Sequence, residues 1–125
     1  MARHGIIVWN ELTTSDLERA KAFYAATMGW AYEVITTPAG PYTLARRPDQ
    51  SRPVAGLVSW PADEDDADDW FAYMGVDDID AAIAAAASAG GRSAPIFEVP
   101  GVGRFAVLTD PNGATLGLMQ RYAEV

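Results

Sequence analysis

Apolar and polar positions interleave along residues 6–13 (IIVWNELT), and the run is rich in β-branched side chains, which predicts a strand. Leu17, Ala20, Tyr24 and Met28 follow at helical spacing. Ser15 and Glu18 stand at the spacing of a capping box, and Gly29 is a helix stop. The pattern then predicts strands over Trp30–Thr37, Tyr42–Arg46 and Pro53–Trp60, parted by turns at 38–41 and 48–51. The second half repeats this order. Trp70–Val76 reads as a strand, and Asp77 as the cap of an alanine-rich helix from Asp78 to about Ala89, stopped by Gly90-Gly91. Strands are expected at Ser93–Val99, Arg104–Thr109 and Thr115–Tyr122, with Pro100-Gly101 and Asp110-Pro111-Asn112-Gly113 as turns.

Both halves therefore read βαβββ. One offset of 62 aligns them, setting Asp16 on Asp78, Leu17 on Ile79, Gly29 on Gly91 and Pro38 on Pro100. Identities are few, and the matching order of helix starts, stops and turns carries the repeat. The expected organisation is one domain, 1–125, of two modules, 1–61 and 70–125, joined by a linker at 62–69.

Composition narrows the chemistry. Half of the 125 residues are hydrophobic, and there is no cysteine and a single histidine. That length buries a sizeable core, and no apolar run reaches the ~18 residues of a membrane span. No secretory leader is visible, so a cytoplasmic protein without disulfides or a cysteine nucleophile is expected. The formal charge is −8, but six of the seventeen acidic residues crowd into ADEDDADD at 62–69, which reads as a solvated connector. An acidic chain with nine basic residues is poorly suited to nucleic acid. One lysine against eight arginines, with many alanines, suits a GC-rich bacterial genome.

The stretch WNELTTSDLERAKAFYAATMGW (Trp9–Trp30) and the run LTDPNGATLGLMQ (Leu108–Gln120), with VDDIDAAI (Val76–Ile83) between them, resemble the vicinal oxygen chelate superfamily, also called the glyoxalase, bleomycin-resistance and extradiol-dioxygenase superfamily. The resemblance spans nearly the whole chain. It implies an α+β fold in which two βαβββ modules form a cupped eight-stranded mixed sheet around a cleft, and it implies a homodimer. It also implies a divalent metal held from the first and last strands of each module. Counted from Asp16, Asp78 and the Asp110–Gly113 turn, those positions fall on Trp9, Phe71 and Gly117, with Ala55 as the module-one equivalent of Gly117. None of the four offers imidazole nitrogen or carboxylate oxygen, so neither a metal nor any other cofactor is expected.

By strand alternation, Trp9, Glu11 and Thr13 share a face, as do Phe71, Tyr73 and Gly75, Ala55, Leu57 and Ser59, and Gly117, Met119 and Arg121. The expected ligand-contacting set is Trp9, Glu11, Ala55, Phe71, Tyr73, Gly117, Met119 and Arg121, with Gly117 and Ala55 leaving space. The competing reading packs Trp9, Phe71, Tyr73 and Met119 as core. Glu11 stands mid-strand among apolar neighbours, where an unpaired charge is costly. It is expected to serve as a general acid or base, to hold a ligand amine or hydroxyl, to form a structural pair with Arg121 or the backbone, or to lie exposed at the outer face of the strand. Arg121 near the chain end and His4 near its start also suit surface positions. No serine has a histidine base within the expected fold, and Gly101-Val102-Gly103 precedes no helix.

Three functions follow. The foremost is a metal-independent small-molecule-binding protein with an aromatic-lined cleft. The alternative is a glyoxalase-like or dioxygenase-like enzyme using Glu11 as acid or base, or an atypical metal site. The third is an interaction module with a filled cleft. The expected partners are a small molecule and a second copy of the chain, without nucleic acid or membrane.

Overall fold

The computed structural model describes residues 3–38, 40–59, 68–99 and 101–122. In chain order the elements are β1 (Ile7–Thr14), α1 (Leu17–Met28), β2 (Ala31–Thr37), β3 (Gly40–Arg46), β4 (Pro53–Ser59), β5 (Asp69–Gly75), α2 (Ile79–Ser88), β6 (Arg92–Ser93), β7 (Phe97–Val99), β8 (Gly103–Thr109) and β9 (Thr115–Arg121). The expected α+β class of two βαβββ modules is what the chain adopts. The strand expected over Ser93–Val99 is interrupted at residues 94–96, giving β6 and β7. Pro95 lies in the gap, and proline has no N–H for a ladder. Most of the connector expected at 62–69 lies outside the described residues, as do Ala39, Trp60 and Pro100. No described helix is long and apolar enough to cross a membrane.

The chain divides into two compact units, Trp9–Phe71 and Met1–Val8 with Ala72–Val125. In the first, the strand order is β2-β3-β4-β1, with β2, β3 and β4 antiparallel and β1 parallel to β4. Helix α1 is the crossover that a parallel pair requires. It lays Leu17, Ala20 and Tyr24 against Leu12, Ala45, Ala55 and Leu57, and Leu57 is fully buried. Tyr24 also meets Trp30 and Trp70, and the Trp70 indole donates to the Tyr24 hydroxyl at 3.0 Å.

In the second unit the order is β5-β9-β8-β6, with β7 also on β8 and β9 parallel to β5. Helix α2 seats Ile79, fully buried, on Ala106 and Leu118. The Ile79 N–H donates to the Gln120 side chain at 2.8 Å, so the first turn of α2 is tied to β9. The first residues of the chain extend this unit: Gly5 N–H donates to the Gly75 carbonyl and Gly75 N–H to the Ile6 carbonyl, both at 2.8 Å.

The helix caps sit one residue later than expected. Asp16 accepts from Arg19 N–H and Asp78 from Ala81 N–H, each at 3.1 Å. Ser15 instead gives its backbone N–H to Asp68, whose carboxylate also accepts from the Thr14 hydroxyl at 2.9 Å. Asp77 gives its N–H to His4 Nδ1 at 3.0 Å, so His4, exposed as expected, has a structural partner. Gly29 ends α1 in the left-handed region at φ 71°, which glycine adopts without steric cost.

Candidate functional site

Glu11 lies opposite Gly56 in the parallel β1–β4 pair, and Gly56 lies opposite Leu44 on β3. This row belongs to the sheet face turned away from α1, because the intervening positions Leu12, Leu57 and Ala45 form the helix-side core. Tyr42, two residues before Leu44, shares the Glu11 face. Its hydroxyl donates to Glu11 Oε1 at 2.8 Å. The Tyr42 hydroxyl oxygen in turn accepts from the Trp9 indole N–H at 2.9 Å. Trp9, Tyr42 and Glu11, all half-buried, thus form a directed chain of two hydrogen bonds.

Two influences act on the Glu11 carboxyl. Burial dominates and lifts its pKa above the ordinary glutamate value, because a low-dielectric surround disfavours the charge. The Tyr42 hydroxyl pulls the other way by bonding the charged form. The net direction is upward. Such a carboxyl accepts hydrogen bonds when ionised and donates one when protonated.

The second unit repeats the geometry with different chemistry. Tyr73 pairs with Gly117 and Gly75 with Met119 on β9, while Met119 lies opposite Phe105 on β8. A Cβ on Gly117 would overlap the Tyr73 ring. The expectation that Gly117 leaves open space is therefore corrected: that space holds the Tyr73 ring. Tyr73 meets Phe105 edge to face at 5.6 Å, and Phe105 stacks on Phe97 at 5.4 Å. Tyr73, Phe105 and Met119 are buried, so this group packs as core in its own unit. Arg121, half-buried, lies opposite Gly103 on the same face.

Ala55 and Leu57 are not on the Glu11 face. Both belong to the helix-side core with Leu12, and Ala55 is 2% exposed. The offset of 62 holds between Glu11 and Tyr73, but their partners Gly56 and Gly117 differ by 61. A one-residue difference in register moves a side chain to the other face. The module-one counterpart of Gly117 is thus Gly56, and there too a tyrosine ring occupies the space that glycine leaves. Thr13 donates to the Asp69 carbonyl at 3.4 Å, Phe71 is half-buried and Ser59 exposed. Tyr42 was absent from the sequence-derived set. The signal that finds it is the register of β3 and β4, which no motif announces.

The four positions that the resemblance implies for a metal, Trp9, Phe71, Gly117 and Ala55, carry an indole, a phenyl ring and two residues without a polar side-chain atom. Among the described residues, no three His, Cys, Asp or Glu side chains gather as a metal site would need. A separate pocket of about 190 Å³ lies among Ala86, Ala89, Leu108, Pro111 and Leu116, with almost wholly apolar walls.

A family model described as "Glyoxalase/Bleomycin resistance protein/Dioxygenase superfamily" matches residues 6–118. The CFP32 protein of Mycobacterium bovis is 34% identical over 121 residues, covering 94% of this chain and 46% of that protein. The chain thus spans about half the length of that relative. A glyoxylase-like domain-containing protein of Didymella fabae is 32% identical over 126 residues, covering 97% of this chain and 98% of its own. Among solved structures, methylmalonyl-CoA epimerase from Mycobacterium tuberculosis superposes with a TM-score of 0.67 at 17% identity, covering 98% of this chain and 97% of its own.

Proposed function

The chain belongs to the glyoxalase/bleomycin resistance/dioxygenase superfamily, and from that premise we propose that it is a metal-independent small-molecule-binding protein whose polar anchor is Glu11. The observation that carries this reading is the Trp9–Tyr42–Glu11 chain. A carboxyl is held in place on the sheet face away from the helix, beside an indole, in a module whose family metal positions bear no ligand atoms. Small-molecule sites are built this way, from apolar and aromatic surface with a few placed polar groups. The chain is further proposed to work as a homodimer, which light scattering checks.

A second reading is favoured by one observation, the upward displacement of the Glu11 pKa. A carboxyl tuned toward neutrality is suited to move protons, as a general acid or base does. In that reading the protein is an enzyme of the superfamily and Glu11 its proton carrier.

Thermal denaturation against a panel of small aromatic amines and alcohols, with and without EDTA, separates the readings. A ligand present at a hundred times its Kd stabilises by about 2.7 kcal/mol. The binding reading expects such a shift to survive EDTA and to shrink in Glu11→Gln. A shift that appears only with added Zn²⁺ or Mn²⁺ overturns it. Turnover of any hit that Glu11→Gln abolishes transfers the conclusion to the enzyme reading.

A further inference from the structure

The direction of the hydrogen bonds at Glu11 has a chemical consequence. An indole N–H is a donor and nothing else. The Tyr42 oxygen therefore accepts from Trp9, and the tyrosine proton is the one given to Glu11 Oε1. The chain runs one way, and Oε1 is committed as an acceptor at its end. The arrangement that keeps both bonds puts the acidic proton, when Glu11 carries one, on Oε2.

We infer that Tyr42 and Trp9 are positioning residues that assign separate duties to the two Glu11 oxygens, so that Oε2 is the atom that meets the ligand and the ligand presents a hydroxyl or an ammonium proton to it. This rests on the binding reading above and names its chemistry. An ionised carboxylate accepts and cannot donate, and Tyr42 takes one lone pair of Oε1 and leaves Oε2 the better-placed acceptor, so the complementary group is a proton donor. A carbonyl, which only accepts, meets the same atom only when Glu11 is protonated. The group on this face that bears on the titration of Glu11 within its unit is Tyr42, and Glu33, three strands along the same row, is paired with Arg46. Burial lifting the Glu11 pKa while Tyr42 opposes it agrees with this division of labour. Gly56 completes the device, since any side chain there would occupy the place of the Tyr42 hydroxyl.

The test uses the whole chain. A carbon-13 titration of the Glu11 carboxyl, without ligand, compares wild type with Tyr42→Phe and Trp9→Phe. Removing the Tyr42 hydroxyl is expected to raise the Glu11 pKa, and removing the Trp9 donor to raise it by a smaller step, since bonds in a chain polarise one another. An unchanged value in Tyr42→Phe overturns the inference. An unchanged value in Trp9→Phe removes Trp9 from it. Should Tyr42→Phe fail to fold, Trp9→Phe carries the test alone, and an unchanged value there then overturns the inference.

The ligand arm uses benzyl alcohol, benzylamine and acetophenone as probes. Above the Glu11 pKa, one or both of the first two are expected to bind more tightly than acetophenone, and to weaken about tenfold in Tyr42→Phe, as loss of orientation at a charged acceptor implies. Strong salt dependence marks the ammonium as the recognised group, and its absence marks the hydroxyl. Acetophenone binding equally well at high pH overturns the assignment of the ligand class. If the titration behaves as expected and no probe binds, the binding reading fails while the division between the two oxygens stands.

Discussion

A Cβ built on Gly56 would fall onto the hydroxyl and ring of Tyr42. The Tyr42 hydroxyl is held by Trp9 and Glu11, so the tyrosine yields only by breaking those bonds. Gly56→Ala is therefore expected to destabilise the protein by about 1–3 kcal/mol, the usual range for overpacking. It should also displace Tyr42 from both Glu11 and Trp9. Urea denaturation measures the first effect, and loss of protection at the Trp9 indole N–H in hydrogen exchange measures the second. A Gly56→Ala variant as stable as wild type would show that Tyr42 does not need that space.

Truncation at the foot of α2 probes the other unit. Ile79 is fully buried against Ala106 and Leu118. Ile79→Ala is expected to remove about 2–5 kcal/mol of stability through lost burial and the cavity left behind. The urea midpoint should fall with an unchanged slope. A change below 1 kcal/mol would mean that the helix repacks on the sheet.

The pH dependence of stability has a definite sign at Glu11. Its pKa is higher in the folded chain than in the unfolded one. Between the ordinary glutamate value and the raised one, the folded state holds more proton, so stability falls as pH rises through that window. Glu11→Gln has no charge to bury. Its stability relative to wild type should therefore improve on going from pH 4 to pH 8, as paired urea melts would show. A difference independent of pH would mean that burial does not govern this carboxyl.

The caps distinguish neighbouring residues. Asp16 bonds the Arg19 N–H, whereas among the described residues the Ser15 side chain reaches only Asp68, at 3.4 Å. Asp16→Ala should lose about 1 kcal/mol, and Ser15→Ala less than about 0.5 kcal/mol. Thermal melts of the two variants decide between them. The reverse order would restore the capping box that the spacing of Ser15 and Glu18 suggested.

Local signals foretold the elements well. Gly29, Gly90-Gly91 and the Asp110–Gly113 turn act where they stand, through backbone freedom and side-chain-to-backbone bonds, so they can be read without knowing the fold. In the turn, the Asp110 carboxylate accepts from Asn112 and Ala114 N–H at 2.8 and 3.0 Å. The site was less legible because its content is register. Ala55 and Gly56 differ by one position in sequence and by a whole sheet face in space, and a shift between Ala45 and Arg46 in the β3–β4 pairing interrupts simple counting. Glu11 stood out as a charge in an apolar strand. Its partner Tyr42 lies 31 residues away, on a strand whose pairing decides whether the two meet.

The grouping of Met1–Val8 with Ala72–Val125 bears on how the chain is made. A ribosome delivers residues 3–8 before the Gly75 and Asp77 groups that hold Gly5, Ile6 and His4, which emerge some seventy residues later. The β2-β3-β4-β1 ladder has its mutual partners by then and can assemble ahead of them. Residues 3–8 wait without these partners until synthesis is well into the second unit. Nascent chains stalled before residue 72 should therefore carry a protected 9–71 core beside a 3–8 segment still open to proteases.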